Sequence, residues 1–391
     1  MLLAVGKASG LMMRTSIELF KDLELRGILV APKGWKIPSF DKRIEVFKAG
    51  HPSPNRDGFE ASKRVLEAAT KLREDDLLVC LISGGASALL PSPAGDISLQ
   101  DKKRLTEQLI RSRVSIHEIN TVRKHLSNLK GGRLVQLCRS STILSLLISD
   151  VPGNHLPDIA SGLTVEDPTT YSDAIEILRL HRLWDTIPKN VRNHLLKGFH
   201  GEISETPKPS DPDFRRVHNA IIADNRAACL AAKEAMKARG VSATILTSSA
   251  EMESHSMGRL LASIAKETKM HAEHMSRSSG IILGGETNLE MIGKGIGGRN
   301  QETTLSAVDL IGGLRGVAIA AFGTDGVDGN SKAAGAIIDG NTAQRARRKL
   351  MEPKEYLARN DSNRFFRRLN DSLITGPTGT NVGDLYLMVS R

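Results

Sequence analysis

Strand-like and helix-like segments alternate along almost the whole chain, and this rhythm restricts the fold more than any other feature. Residues 2–6 read as a strand and 10–23 as a helix. Short β runs follow at 27–31 and 44–48. Residues 58–72 are amphipathic, with Phe59, Val65, Leu66, Ala69 and Leu72 near 3.6-residue spacing. Residues 76–83 and 142–149 are continuous apolar runs, the pattern of strands buried on both faces of a parallel sheet. Ser98 and Asp101 form a capping-box pattern ahead of another helix. The expected class is therefore α/β, with helices covering both faces of each sheet.

The 391 residues leave room for two or three domains. Around residues 205–213 the text becomes ETPKPSDPD, with no apolar periodicity, and reads as a linker or a long loop. A boundary near 210 is expected, giving a domain over 1–210 and a smaller one over 211–391. A cleft between two such domains is the usual place for a ligand.

Composition narrows the function. Hydrophobic residues are 40% and charged residues 25%, which is ordinary for a globular protein and excludes disorder. No apolar run reaches the ~20 residues of a membrane span. The apolar run at residues 1–5 is too short for a signal peptide, and Lys7 follows it rather than preceding it. Three scattered cysteines make neither a disulfide framework nor a zinc cluster, as expected of a cytoplasmic protein. The net charge of +10 favours anionic partners. The basic stretch from Arg345 to Arg368 reads as solvated helix faces. With aromatics at only 4%, nucleic acid is not an expected partner, and neither is a membrane.

Six Gly-, Ser- or Thr-rich segments follow the strands. Gly6-Lys7-Ala8-Ser9-Gly10 turns from a strand into a helix, where backbone N–H groups can meet an anion and Lys7 can neutralise a phosphate. Ser83-Gly84-Gly85-Ala86-Ser87 offers close backbone approach and two hydroxyls. Asp150, in the turn running to Asn154, is placed for a metal or a substrate hydroxyl. Gly284-Gly285-Glu286-Thr287 precedes a glycine-rich stretch that delivers Arg299 and Asn300. Guanidinium there suits phosphate or carboxylate oxygens. Asp325 and Asp328, flanked by glycines, suit Mg²⁺. Residues 375–381, with Thr378 and Asn381, suit phosphate or ribose oxygens. Gly293, Gly295 and Gly298 fit G-x-G-x-x-G, but the acid-tipped second strand of a dinucleotide site does not follow in place. No Walker A motif occurs. Arg123, with Lys124 and Lys130, makes either an anion pocket or a solvated face, and His51 and His125 read as structural.

Together these segments resemble the class II glycerate 2-kinases, whose C-terminal part is called the MOFRL domain. The resemblance is carried by LISGGASALLPSPAGDISLQD, INTVRKHLSNLKGGRL, SDVPGNHLPDIASGLTVEDPTT, GGETNLEMIGKGIGGRNQE, FGTDGVDGNSKAAGAIIDG, RNDSNRFF and TGPTGTNVGDL, in order along the chain. It implies a Rossmann-like N-terminal domain and a C-terminal MOFRL domain with an interdomain cleft. It also implies transfer of the ATP γ-phosphoryl group to the 2-hydroxyl of D-glycerate with Mg²⁺ or another divalent cation. The family's functional lysine falls on Lys7 and its arginine on Arg299. In this reading Asp150 orients the attacking hydroxyl, Glu286 and Asp325 hold the metal, and Ser83, Gly84, Gly85, Ser87, Arg123, Asn154, Asn300, Thr378 and Asn381 bind substrate or phosphate. A homodimer is compatible with it. Two departures stand out: Ala86 replaces the third glycine of the family's SGGGS, where a β-carbon is expected to narrow the turn, and Met1 stands almost at the first strand, where the family carries a further helix. The rival readings are an NAD(P)H-dependent hydroxypyruvate reductase and a non-catalytic sugar-acid or nucleotide sensor.

Overall fold

The computed structural model describes residues 1–112, 114–138, 141–270 and 278–391. It divides into two compact units, Met1–Ile148 with His155–Ile222, and Ser149–Asn154 with Ala223–Arg391. No described helix is long and apolar enough to cross a membrane.

The first unit is built on β1 (Leu2–Val5), β2 (Gly27–Pro32), β3 (Ile44–Ala49), β4 (Leu77–Ile82), β5 (Thr142–Ile148) and β6 (Val217–Ala223). Their order across the sheet is β3-β2-β1-β4-β5-β6. The pairs β2–β3, β1–β2, β1–β4 and β4–β5 are parallel. This is the Rossmann order, as the resemblance implies. The chain leaves β1 toward β2 on one side and returns to pair β4 on the other. The carboxyl ends of β1 and β4 therefore form the switch point of the sheet, where ligands of such folds bind. Of the two apolar runs that read as doubly buried strands, β4 is so from Leu78 to Ile82, whereas β5 alternates, with Ile143, Ser145 and Leu147 buried and their neighbours only part-buried. Every residue of β1 and β2 is buried as well. Helices Ser9–Leu19 and Arg56–Ala69 supply crossovers, and Ser98 and Asp101 close the expected capping box on helix Leu99–Arg111.

The second unit contains β7 (Ser242–Glu253), β8 (Ser279–Asn288), β9 (Val317–Gly323), β10 (Gly335–Asp339), β11 (Ser372–Leu373) and β12 (Asp384–Ser390). Their order is β11-β10-β9-β12-β8-β7. β7 and β8 are parallel, and β12 runs antiparallel between β8 and β9. The late strands β11 and β12 pair antiparallel with their neighbours. Helices Ser254–Met270 and Arg299–Ala307 pack into the apolar core of this sheet through Met257, Leu261, Ala265 and Leu305.

Of the two readings of the proline-rich stretch, linker or long loop, the loop is the one found. Thr206 and Pro207 are buried against the first unit. Thr206 Oγ1 donates to Asp167 at 3.1 Å, and the Pro207 carbonyl accepts from the Asp167 N–H at 2.8 Å. The prolines fix an extended strap rather than a mobile connection, and the units divide at Ile222/Ala223 instead of near 210. The strap ends in an ionic clamp. Glu205 receives the His125 ring at 3.2 Å, the Tyr171 N–H at 2.8 Å and Lys208 at 3.2 Å. Burial alone would raise the Glu205 carboxyl. The His125 and Tyr171 contacts and the Lys208 charge outweigh it and hold the group down at about 2. A depressed carboxylate stabilises above its unfolded value of 4.5 and loses that contribution as pH falls through about 2. Wild type is therefore expected to melt lower in steps from pH 5 to pH 2. Glu205→Gln should melt below wild type at pH 7, with the difference closing toward pH 2 in a differential scanning series. A gap that stays constant would reject the clamp.

The three cysteines are buried and free. His125 is also structural, with its ring fully buried and Nδ1 at the Thr121 carbonyl.

Candidate active site

In the first unit, the turn after β1 and the turn after β4 are joined at the switch point. The Lys7 N–H donates to the Gly84 carbonyl at 2.9 Å, and the Ala8 N–H donates to Ser83 Oγ at 3.0 Å. Lys7, Ser83, Gly84 and Gly85 thus come together. Gly85 takes φ +90 and begins the short helix Ala86–Leu89. Ala86 lies beyond that bend, as the first residue of the helix, with its methyl buried at 1% exposure. Ser87 Oγ shares a hydrogen bond with Ser161 Oγ at 2.8 Å.

Beneath this turn lies a positive cluster that the sequence only half disclosed. Lys130 Nζ donates to the Ser87 and Leu90 carbonyls, each at 2.8 Å. Lys102 Nζ donates to the Pro91 and Leu126 carbonyls. Both lysines are buried, and the Arg123 charge acts on both. Burial, then the Arg123 charge, pushes Lys130 down to about 7. Burial alone pushes the Arg123 guanidinium down. Lys124 is separate, paired with Asp167 at 3.2 Å. A solvated helix face does not describe these residues. Burial and neighbouring positive charge hold both lysines below their ordinary values behind a Ser/Gly turn, an arrangement in which an anion would favour their charged forms.

In the second unit the site is centred on Arg299, the first residue of its helix. Its Nε donates to Asp384 Oδ2 at 2.5 Å, Nη2 approaches Asp384 Oδ1 at 3.4 Å, and Nη1 donates to Glu286 Oε1. Burial acts against the cation, but Asp384 and Glu286 outweigh it and hold the guanidinium well above its ordinary value. Burial raises the Glu286 carboxyl against the pull of Arg299, with the Asp384 and Asp150 charges adding to the rise. Three contacts use three of the five guanidinium N–H donors, leaving two for an anion.

Asp384 is the residue that reasoning from the sequence missed. It is 2% exposed and opens β12 between Gly285 of β8 and Gly323 of β9. The Tyr386 hydroxyl donates to it at 3.3 Å. The only signal was its Gly383-Asp384 start within the last matched segment. Glu286, read as part of a turn, lies inside β8, because the strand continues through Gly285 to Asn288. Gly285 keeps the pairing with β7 open, since a β-carbon there would stand 2.2 Å from the Ala250 carbonyl.

The other expected residues divide into groups. Asp150 accepts from Asn381 Nδ2 at 2.7 Å, so these two are together, and Asp150 lies close enough to raise Glu286. Asn154 instead binds Asp224 at 2.6 Å. Thr378 closes over the Asp325 loop, its N–H on the Asp325 carbonyl at 3.1 Å and its hydroxyl on the Thr324 carbonyl at 2.6 Å. Asn300 is 1% exposed, behind Arg299 rather than on an open surface. Asp328 does not face a ligand either. It accepts the Asn300 and Gln301 N–H groups at 3.0 and 2.9 Å and so caps the Arg299 helix. That explains the glycine run. A β-carbon at Gly298 would strike Asp328, and one at Gly293 or Gly295 would strike the Arg359 and Asn360 backbone. These glycines seat a loop on its own unit, which accounts for them without a dinucleotide cradle.

The two clusters stand at strand ends of an α/β protein, one made of lysines and glycine turns, the other of an arginine held among carboxylates. Residues 1–196 match the domain of unknown function DUF4147, and residues 279–384 match the MOFRL family. The chain is 40% identical to the glycerate 2-kinase of Pyrococcus horikoshii over 99% of its own length and 86% of that protein. It is 38% identical to the D-glycerate 2-kinase of Thermotoga maritima over 99% of its own length and 89% of the relative. The crystal structure of Thermotoga maritima glycerate kinase matches with a TM-score of 0.87 at 38% identity, covering 100% of this chain and 91% of that one. The chain belongs to the MOFRL family of glycerate 2-kinases.

Proposed function

We propose that this protein is an ATP-dependent glycerate kinase that phosphorylates the 2-hydroxyl of D-glycerate, releasing 2-phosphoglycerate and ADP. The observation that carries the reading is identity of 40% and 38% with two glycerate 2-kinases along 99% of the chain. The site chemistry supports it. Phosphoryl transfer asks mainly for positioning and for neutralisation of charge on the transferring oxygens. Lys7 and the Lys102–Arg123–Lys130 cluster lower the energy of anionic groups at the switch-point turn. Arg299, fixed by Asp384 and Glu286, presents its remaining N–H donors to phosphoryl oxygens. Asp150, oriented by Asn381, accepts a hydrogen bond from the attacking hydroxyl. Ser83, Ser87 and the Gly84–Gly85 backbone receive carboxylate or phosphate oxygens.

The donors of the second unit fit Mg²⁺, which takes carboxylate oxygens and water. Asp325 Oδ1 and Asp384 Oδ1 both border Gly323, at 3.2 and 3.3 Å from where its β-carbon would stand. We assign the cation to Asp325 with Asp384, and Glu286 chiefly to Arg299. When bound, Mg²⁺ would neutralise charge on the phosphate chain.

The test is ADP release from ATP and Mg²⁺ with and without D-glycerate, with the product read by phosphorus NMR. Glycerate-dependent ADP with phosphate on carbon 2 is expected, together with loss of at least about 100-fold in kcat/KM in Lys7→Met. Phosphate on carbon 3, or NADH consumption with hydroxypyruvate in place of ADP release, would overturn the assignment.

A further inference from the structure

One side-chain group in the first unit has no part in this chemistry. His117 is the second residue of helix Ile116–His125, and Asn120 stands one turn further on. Both reach Asp158. His155 reaches it from the other side through a tight turn, in which the Asp158 N–H donates to the His155 carbonyl at 2.9 Å. Asp158 Oδ2 lies 3.2 Å from His117 Nδ1 and 2.7 Å from His155 Nδ1. The imidazoles are about half exposed, at 54% and 52%, while the carboxylate is buried at 6%. The three ligand atoms lie within 4.8 Å of one another.

We propose that His117, His155 and Asp158 form a binding site for a divalent transition metal of the zinc type. Two imidazole nitrogens and one carboxylate oxygen are a donor set that suits zinc, cobalt or nickel and not the hard Mg²⁺ of a kinase reaction. Ligands at 2.0–2.2 Å from a tetrahedral ion stand about 3.3 Å apart. The His117 separation falls at that spacing, the His155 one is about 0.6 Å shorter, and all three atoms lie within 4.8 Å. An ion therefore enters once the rings give up their hydrogen bonds and shift by a few tenths of an ångström. Solvent reaches both rings, which leaves an entry path and a fourth position for water.

The carboxylate is also oriented from behind. Asn120 Nδ2 donates to Asp158 Oδ1 at 3.2 Å, and Asn120 Oδ1 accepts from Ser161 Oγ at 3.0 Å. Such outer partners fix a metal ligand's direction. The same chain continues from Ser161 to Ser87, so the site is tied to the turn after β4.

Co²⁺ titration of the tag-free full chain, in excess Mg²⁺, tests the proposal by visible absorption. One Co²⁺ per chain is expected, displaced by Zn²⁺ and not by Mg²⁺. The spectrum should vanish in His117→Ala/His155→Ala, and Asn120→Ala should bind about 10–100-fold more weakly. Both rings hydrogen-bond the buried Asp158 carboxylate, so the double variant is expected to melt below wild type, and its Co²⁺ titration is read below its own melting transition. Absence of stoichiometric Co²⁺ binding, or binding unchanged in the double variant, would overturn the proposal. Neither result bears on glycerate-dependent ADP release, which does not pass through these residues.

Discussion

Arg299→Ala is expected to lower kcat/KM for glycerate-dependent ADP release by at least about 1,000-fold, the range set by arginines that neutralise a transferring phosphoryl group. Its guanidinium is the only cation given to Asp384 and Glu286 among the described residues. Removal therefore does two things. It withdraws the donors aimed at the phosphoryl oxygens, and it leaves a carboxylate of 2% exposure without its partner. Breaking such a pair from one side destabilises by about 3–5 kcal/mol. Activity must accordingly be read below the variant's own melting transition. Arg299→Lys separates the two effects. It returns a charge to Asp384 but cannot serve two carboxylates and an anion at once, because the planar fork is lost. Its melting temperature should approach wild type while most of the activity loss remains. A folded Arg299→Ala within about tenfold of wild-type kcat/KM would sink the assignment.

How far this was legible in the sequence depends on the range of each interaction. β4 could be read because a strand buried on both faces needs an unbroken apolar run, a local property; β5 carries such a run too but buries only alternate residues. The turns carrying Lys7 and Ser83 were legible for the same reason: glycine and hydroxyl clusters at strand ends are written in consecutive letters. Asp384 was not, because its role comes from standing between β8 and β9, strands drawn from 100 and 60 residues earlier, roughly, in the chain. The Lys102–Arg123–Lys130 cluster was hidden in a similar way. Lysines normally face water, and only packing against the Ser87–Pro91 segment and the Leu126 carbonyl buries these. The strap at 205–208 misled because proline-rich text is the same whether it links or clamps, and the difference lies in Asp167 and His125 far upstream. His155 and Asp158 were visible as neighbours, but His117 joins them only through the fold.

Gly6→Ala is expected to be the most damaging single-methyl change in the first unit. Gly6 has φ +122, a region L-residues rarely enter, and its β-carbon would stand 2.3 Å from Ser83 Oγ and 2.4 Å from the Ser83 carbonyl oxygen. The obstacle is partly backbone, so no rotamer change relieves it. Strain and overpacking each contribute about 1–3 kcal/mol, for a combined loss of about 3 kcal/mol or more. Gly34→Ala is the control: φ is +88, yet nothing stands within 4 Å of its β-carbon, so only backbone strain is added. Thermal unfolding of the two variants should therefore differ clearly, with Gly6→Ala lower. The same methyl pushes the β1 and β4 turns apart and strains the Lys7–Gly84 hydrogen bond, which sets where the Lys7 side chain starts. Folded Gly6→Ala should then lose kcat/KM as well, whereas Gly34→Ala should keep it. Equal melting temperatures would mean the two turns are not interlocked, and with that the reason for placing Lys7 beside the Ser83 turn would go.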